Sequence, residues 1–288
     1  MIKVIASDMD GTLLNSKIQV DEDGVKAIEL ARAKGIHFVL CTGRMYDDAT
    51  QLINHANLYA PAICMNGAEI RDEHGKILKQ IPIDKPSARK TYQVLKDLGM
   101  YCEFFTDIGP ISPNKDKGIE LMKEIQHKVH PELSKEEVHR YVEERFESKD
   151  VHVIDDPERL FQNDEITILK FIAFSSDQVV LKKAKDTLEA EGNLAVSSSF
   201  SDNIEITHID AQKGLSLQYY VEQMGVTMDE TFAIGDNFND VSMLKMAGYS
   251  VAMGNAEPAV KKLAKYETDS NDEHGVATAI HKMLESNH

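Results

Sequence analysis

Apolar residues in the N-terminal part of the chain come in short runs separated by amphipathic stretches. Residues 2–7 form an apolar run that stops at Asp8, and a helical pattern from Asp21 to Lys34 stops at Gly35. A second run, His37–Cys41, follows at once; a helical stretch over Tyr46–His55 then leads to a third run, Ala62–Met65, before Asn66-Gly67. Strand, helix, strand, helix, strand is the rhythm of a parallel sheet with right-handed crossovers. From Ala68 the rhythm breaks. Two strand-like runs flank Asp72-Glu73-His74-Gly75, which predicts a hairpin that Pro82 and Pro86 close.

Beyond the hairpin the pattern turns to mixed α+β. Helices are expected near Ser87–Leu98, Lys117–Lys128, Ser134–Glu147 and Gln178–Glu191, alternating with strands such as Val151–Ile154 and Ile166–Phe174. After Lys213 the first rhythm returns: a helix to Met224, a strand over Thr231–Ile234, a helix over Phe238–Met246, a strand over Tyr249–Ala252 and a last helix over Val276–Glu285. Both ends of the chain therefore build one sheet. The expected class is α/β, a doubly wound parallel sheet formed by residues 1–83 and 208–288, with residues 84–207 as an inserted α+β domain. The acidic stretch Asp269–Glu273 reads as a solvated loop.

Composition narrows the partners. With 32 Lys plus Arg against 48 Asp plus Glu, the formal net charge is -16, and sequence-independent affinity for nucleic acid or anionic lipid needs the opposite. Neither is an expected partner. A small anionic substrate would have to be met locally, by a metal ion and a few basic side chains. Cys41, Cys64 and Cys102 show no metal-ligand spacing and read as reduced, buried thiols. The histidines contain no HExxH, and His127 and His130 read as solvated surface rather than as a metal site. No apolar run approaches the roughly 20 residues of a membrane helix, and Met1–Ser7 lacks the features of a signal peptide, so the expected location is cytoplasmic.

Chemistry is concentrated where the predicted parallel strands end. The loops Asp8-Met9-Asp10-Gly11-Thr12, Thr42-Gly43-Arg44 and Gly235-Asp236-Asn237-Phe238-Asn239-Asp240 all follow such strands, and ligands of open parallel sheets bind just beyond the strands' carboxyl ends. Convergence would put at least four carboxylates in one crevice, an arrangement that needs a cation. Oxygen donors without His or Cys select a hard ion, Mg²⁺, with Asp8 and Asp236 as the fitting ligands. Residues two apart at an extended strand end point to the same side, so Asp8 and Asp10 are expected to face one phosphorus atom. One would attack it and the other carry a proton. Thr42 and Gly43 can donate hydrogen bonds to phosphoryl oxygens, and Lys213, at a helix start before Gly214, can supply positive charge.

DMDGTLL at Asp8–Leu14, TGR at Thr42–Arg44, KG at Lys213–Gly214 and GDNFND at Gly235–Asp240 resemble the four ordered motifs of the haloacid dehalogenase superfamily. More narrowly, the chain is similar to the Cof-type sugar and metabolite phosphatases, whose cap domain is inserted between the second and third motifs. The resemblance spans essentially the full length. It implies that Asp8 is the nucleophile and a Mg²⁺ ligand, and that Asp10 is the general acid/base, its backbone carbonyl also on the metal. It implies further that Asp236 completes the metal site, Thr42 binds the phosphoryl group and Lys213 neutralises it. Asn239 would contact phosphate or metal, and Asp240 would act behind these contacts. Met9 and Gly43 fall with the phosphate-binding segments.

Blander readings stand beside some of these. Asp240 could simply favour a helix dipole, Arg44 could pair with a surface carboxylate instead of the substrate, and Asn66 could form a simple turn instead of touching substrate. Met65, Met243 and Met246 read as core filling. The expected activity is Mg²⁺-dependent hydrolysis of a small phosphate monoester through an aspartyl-phosphate on Asp8, by a monomer or homodimer. The rivals are phosphoryl transfer to a second hydroxyl by the same machinery and a non-catalytic phosphosugar sensor. A dinucleotide-binding oxidoreductase is disfavoured, because no GxGxxG follows the first strand.

Overall fold

Strand β1 (Val4–Ser7) is buried along its whole length. Alternate residues serve opposite faces: Ile5 joins an apolar cluster with Ala27, Ile28, Phe38, Leu40, Ile280 and Met283, whereas Val4 and Ala6 join another with Val39, Cys41, Leu217, Val221, Met243 and Leu244. A continuous apolar run is what a central strand covered on both faces requires. The computed structural model describes residues 1–129, 133–147, 151–199 and 201–286; His130, read above as surface, lies outside them.

Helix α1 (Glu22–Ala33) starts at Asp21, whose carboxylate accepts from Gly24 N at 2.7 Å, and it buries Ala27, Ile28 and Ala31 at helical spacing. It stops before Gly35, which has φ +80°. Strand β2 (His37–Cys41), helix α2 (Tyr46–Asn54), strand β3 (Ala62–Cys64) and the hairpin β4 (Glu69–Arg71) and β5 (Ile77–Gln80) follow. The hairpin turn is held by Asp72, which accepts from the amides of His74 and Lys76 at 2.9 Å each.

The next segment holds α3 (Lys85–Asp97), β6 (Tyr101–Thr106), β7 (Gly109–Ser112), α4 (Lys115–Val129), α5 (Lys135–Glu147), β8 (His152–Val153), α6 (Glu158–Gln162), β9 (Ile168–Phe174), α7 (Gln178–Glu189), β10 (Leu194–Ser197) and β11 (Asn203–His208). The chain closes with α8 (Lys213–Gln223), β12 (Thr231–Gly235), α9 (Val241–Met246), β13 (Tyr249–Ala252), α10 (Pro258–Lys261), β14 (Tyr266–Glu267) and α11 (Gly275–Ser286). Two compact units result. One comprises Met1–Ile81, Ser197–Ser199 and Ile209–His288, the other Pro82–Val196 and Phe200–His208.

The first unit is an α/β fold on an eight-stranded sheet of order β14-β13-β12-β1-β2-β3-β4-β5, parallel from β14 to β3 and antiparallel in the β4–β5 hairpin. The strand order reverses beside β1, so the loops after β1, β2 and β12 leave adjacent carboxyl ends. The expected helix over Phe238–Met246 is divided into a 3₁₀ turn, Phe238–Asp240, and then α9. The cause is Asp240, whose carboxylate captures the amides of Asp236 and Asn237 at 2.9 and 3.0 Å.

The second unit is built on a six-stranded sheet of order β10-β11-β9-β6-β7-β8, largely antiparallel. One face packs Cys102, Phe104, Phe171, Ala173, Ile204 and Ile206 against residues of α3 and α7 such as Ala88, Leu95, Leu181 and Leu188. The other face is buried yet polar. It pairs Lys170 with Glu205 at 3.3 Å and sets Tyr101 Oη 2.9 Å from both Glu103 and Ser112. Among the described residues, no helix is long and apolar enough to cross a membrane.

Phe104 is fully buried, with the rings of Phe171, Tyr92 and Phe161 centred 5.0, 5.6 and 5.9 Å away. Replacing it by alanine removes a large side chain and leaves a cavity, so Phe104→Ala is expected to cost about 3–5 kcal/mol in chemical denaturation. A loss below ~1 kcal/mol would show that this centre is not close-packed.

Candidate active site

Asp8 stands at the end of β1, where its amide donates to Ile234 O across the sheet at 3.0 Å and its side chain is buried. The opposite wall is Lys213, first residue of α8 and fully buried. Its Nζ donates to Asp8 Oδ1 at 2.5 Å and to Asp240 Oδ1 at 2.6 Å. Gly214 brings α8 this close: a Cβ there would meet the backbone of Ser242 at 2.5 Å, and its amide donates to Ser242 Oγ at 2.9 Å. Asp236, just past β12, completes the group. Oxygens of Asp8, Asp236 and Asp240 all lie within 4.8 Å of one another.

These three carboxylates do not have equal freedom. Asp240 offers Oδ1 to Lys213 and Oδ2 to two backbone amides, so both its oxygens hold protein donors. Asp240 thus both caps a turn and anchors Lys213. Asp236 Oδ1 accepts from Thr12 Oγ1 at 2.7 Å, and Asp8 Oδ1 holds Lys213. Side-chain oxygens of Asp8 and Asp236 also meet each other. Gly11, at φ +76°, makes room: a Cβ would stand 2.6 Å from Asp236 Oδ2.

Charge explains why this arrangement calls for a cation. Three carboxylates face one ammonium. Burial and the nearby Asp240 push the Asp8 carboxyl well above the ordinary range, against the pull of Lys213. Burial, then Asp240, raises Asp236 to about 6. Burial alone would strip the proton from Lys213, but Asp240 and Asp8 hold its pKa above the ordinary lysine value. An oxygen-preferring divalent ion would relieve the crowding, and the donor set fits one.

Asp10 lies elsewhere in this geometry. Its side chain is half-exposed and gripped by Arg44, with Nε 2.7 Å from Oδ2 and Nη2 2.8 Å from Oδ1, while Arg44 Nη1 also meets Asp48 at 2.9 and 3.0 Å. Burial works against the charge on Arg44; Asp10 and Asp48 more than offset it and raise its pKa. Asp8 and Asp10 therefore differ sharply in environment. The chain has left the strand after Ser7, and the period-two argument does not extend through the turn that follows.

Thr42 is fully buried beyond β2, its Oγ1 accepting from Arg44 N at 3.1 Å, which leaves the hydroxyl hydrogen to donate. Gly43 lies between them. Asn66 and Asn239 meet, with Nδ2 of Asn239 donating to Oδ1 of Asn66 at 3.2 Å. Met9 sits in the core, so only its backbone can serve a ligand. Cys41 is buried beneath the site, its thiol raised by burial, and Met65 and Met243 are buried in the core, as expected. Three residues had no role assigned from the sequence. Thr12 and Gly11 fall inside the quoted motif. Asn255 holds Gly11 O at 2.8 Å from the turn after β13, and the strand-end rule that marked the other loops would have found it. The acidic stretch is also more than solvated loop, because Asn271 Nδ2 donates to Leu14 O at 2.9 Å and Asp272 accepts from Ser16 N at 2.8 Å.

A family model for haloacid dehalogenase-like hydrolases matches residues 5–280. The chain belongs to that family. It is 32% identical over 285 residues to the phosphatase YwpJ of Bacillus subtilis, covering 98% of this chain and 100% of the relative. It is 31% identical over 284 residues to the 5-amino-6-(5-phospho-D-ribitylamino)uracil phosphatase YwtE of the same organism, covering 98% of each. The solved structure of a haloacid dehalogenase-like hydrolase from B. subtilis superposes with a TM-score of 0.86 at 33% identity, over 98% of this chain and 100% of that one.

The raised Asp236 carboxyl gives the site a pH signature. A group whose folded pKa lies above its unfolded value contributes stability below the ordinary carboxylate range and loses it as pH rises through about 6. The metal-free protein is thus penalised at neutral pH, where a cation has most to offset. Magnesium chloride at millimolar concentration should raise Tm by about 3 °C or more near pH 7.5, and by much less near pH 5. Equal shifts at both pH values, or none at either, would contradict this account of the carboxylates.

Proposed function

We propose that this protein is a Mg²⁺-dependent phosphatase that hydrolyses small phosphate monoesters through an aspartyl-phosphate on Asp8. The observation that carries this reading is the buried Lys213 bridging Asp8 and Asp240, with Asp236 completing an oxygen-only cluster. Its relatives include phosphatases along their full length, which agrees. The second unit, from Pro82 onward, is read as the cap of this family, and the first as its catalytic core.

Asp8, Asp236 and the Asp10 carbonyl would hold Mg²⁺, and the ion would supply positive charge to the phosphoryl oxygens. Lys213 fixes the Asp8 carboxylate through Oδ1, and that carboxylate is the nucleophile. It forms an oxygen–phosphorus bond as the bond to the leaving alkoxide breaks. Asp10, protonated, gives its proton to that alkoxide, and then takes one from the water that cleaves the acyl phosphate. Arg44 holds the Asp10 carboxylate by two hydrogen bonds. Thr42 Oγ1 and Asn239 bind phosphoryl oxygens, and the Lys213 ammonium offsets charge that develops there. Asp240 holds Lys213 in place.

Hydrolysis of p-nitrophenyl phosphate should require added Mg²⁺, stop with EDTA and fall by at least about 10³-fold in Asp8→Asn, which cannot attack. A wild-type enzyme silent on this reagent and on a panel of sugar, nucleotide and cofactor phosphates would overturn the reading. Asp10→Asn keeps the fold and loses the proton carrier, so its kcat should fall about 10²- to 10⁴-fold. Unchanged turnover in that variant would remove Asp10 from the mechanism.

A further inference from the structure

The turn after β3 holds three successive residues at positive φ: Met65 at 49°, Asn66 at 58° and Gly67 at 104°. Two are not glycine. Left-handed backbone costs an L-residue about 1–2 kcal/mol, and it persists only where the surroundings over-determine it. They do so here from two sides. Met65 N donates to Arg44 O and Asn66 N to Thr42 O, at 3.0 Å each. On the other side, Ser216 Oγ donates to Gly67 O at 2.7 Å, and a Cβ on Gly67 would stand 2.6 Å from the backbone of Gln212. The strained turn is therefore wedged between the loop that carries Thr42 and the helix start that carries Lys213.

This conformation places the Asn66 side chain, 4% exposed, where its Oδ1 accepts from Asn239 Nδ2. The other end of the Asn239 amide is also buried, and its Oδ1 has no hydrogen-bond partner among the described residues. A buried orphan acceptor is costly and asks for a reason. A primary amide carries two N–H donors, and Asn66 engages only one. The second N–H and the orphan oxygen then point in directions set by the Asn66 contact. A turn needing only left-handed backbone would be served by glycine at lower cost.

We infer that Asn66 is a positioning residue for the phosphoryl transfer, its amide fixing the plane of Asn239 so that Asn239 meets the phosphoryl group already oriented. The inference rests on the phosphatase reading above. Asn239 touches the substrate, and Asn66 acts through it.

Asn66→Gly tests the side chain apart from the backbone, because glycine adopts φ +58° freely while the side-chain amide is taken away. With p-nitrophenyl phosphate as probe, kcat should fall at least about fivefold while KM stays within about threefold, the pattern of an interaction felt in the transition state. Melting should stay within about 3 °C of wild type, with its magnesium-dependent rise intact. In an Asn239→Ala background the same change should cost less than about twofold, since the residue it positions is gone. Asn66→Gly with less than a fivefold loss, losses that multiply in the double variant, or a larger drop in melting temperature would each overturn the inference. Inactive wild type would instead count against the phosphatase reading itself.

Discussion

The ammonium of Lys213, enclosed with no exposure between Asp8 and Asp240, is the interaction on which the rest of this structure depends. An isolated ammonium could not stay charged at that depth, nor could the carboxylates gathered around it. Each makes the other tolerable. Lys213 holds one Asp8 oxygen and so leaves the other defined in direction. Asp240 pins Lys213 and, through two backbone amides, ties the loop after β12 into a tight turn. The remaining imbalance, one carboxylate pair beyond what a single ammonium can offset, is the physical basis for a divalent ion.

The sheet makes that meeting unavoidable. β1 is flanked by β12 on one side and β2 on the other, although about 190 residues separate β2 from β12 in the chain. Parallel strands point their carboxyl ends the same way, so Asp8, Thr42 and Asp236 emerge together. α8 enters the crevice with Lys213 as its first residue because glycine at 214 lets the helix lie on the backbone at Ser242. The hairpin β4–β5 then caps the edge beyond β3, and the turn that leads into it carries Asn66.

Much of this was legible in the sequence for definite reasons. β1, β12 and all of β2 but His37 are buried and read as largely apolar runs, each followed at its carboxyl end by a polar residue, Asp8, Asp236 and Thr42. Helix α1 announced itself through Asp21 and Gly35. The second unit was harder to read because one face of its sheet is polar though buried: Glu103, Lys170 and Glu205 alternate with apolar residues in β6, β9 and β11 as solvent-facing positions would. Burial there is made by tertiary pairing, which no local pattern reports. Two details of the site were hidden for a similar reason. Arg44 was open between substrate and surface carboxylate, and it holds Asp10, 34 residues away, as well as Asp48, one turn along α2. Left-handed Met65 has no sequence signal, since the turn is held by the carbonyls of Arg44 and Thr42 in the loop after β2.

The net charge of -16 might suggest a protein hostile to phosphate esters, yet distance decides otherwise. At physiological ionic strength the field of exposed carboxylates decays within about 8 Å, so most of the charge is invisible to a ligand in the crevice. What that ligand meets is the buried balance of Asp8, Asp236 and Asp240 against Lys213, weakly screened and fixed in place. A divalent ion would cancel the two uncompensated negative charges there without touching the remainder of the surface. A small anion that brings a metal would therefore meet the short-range arrangement and not the surface charge.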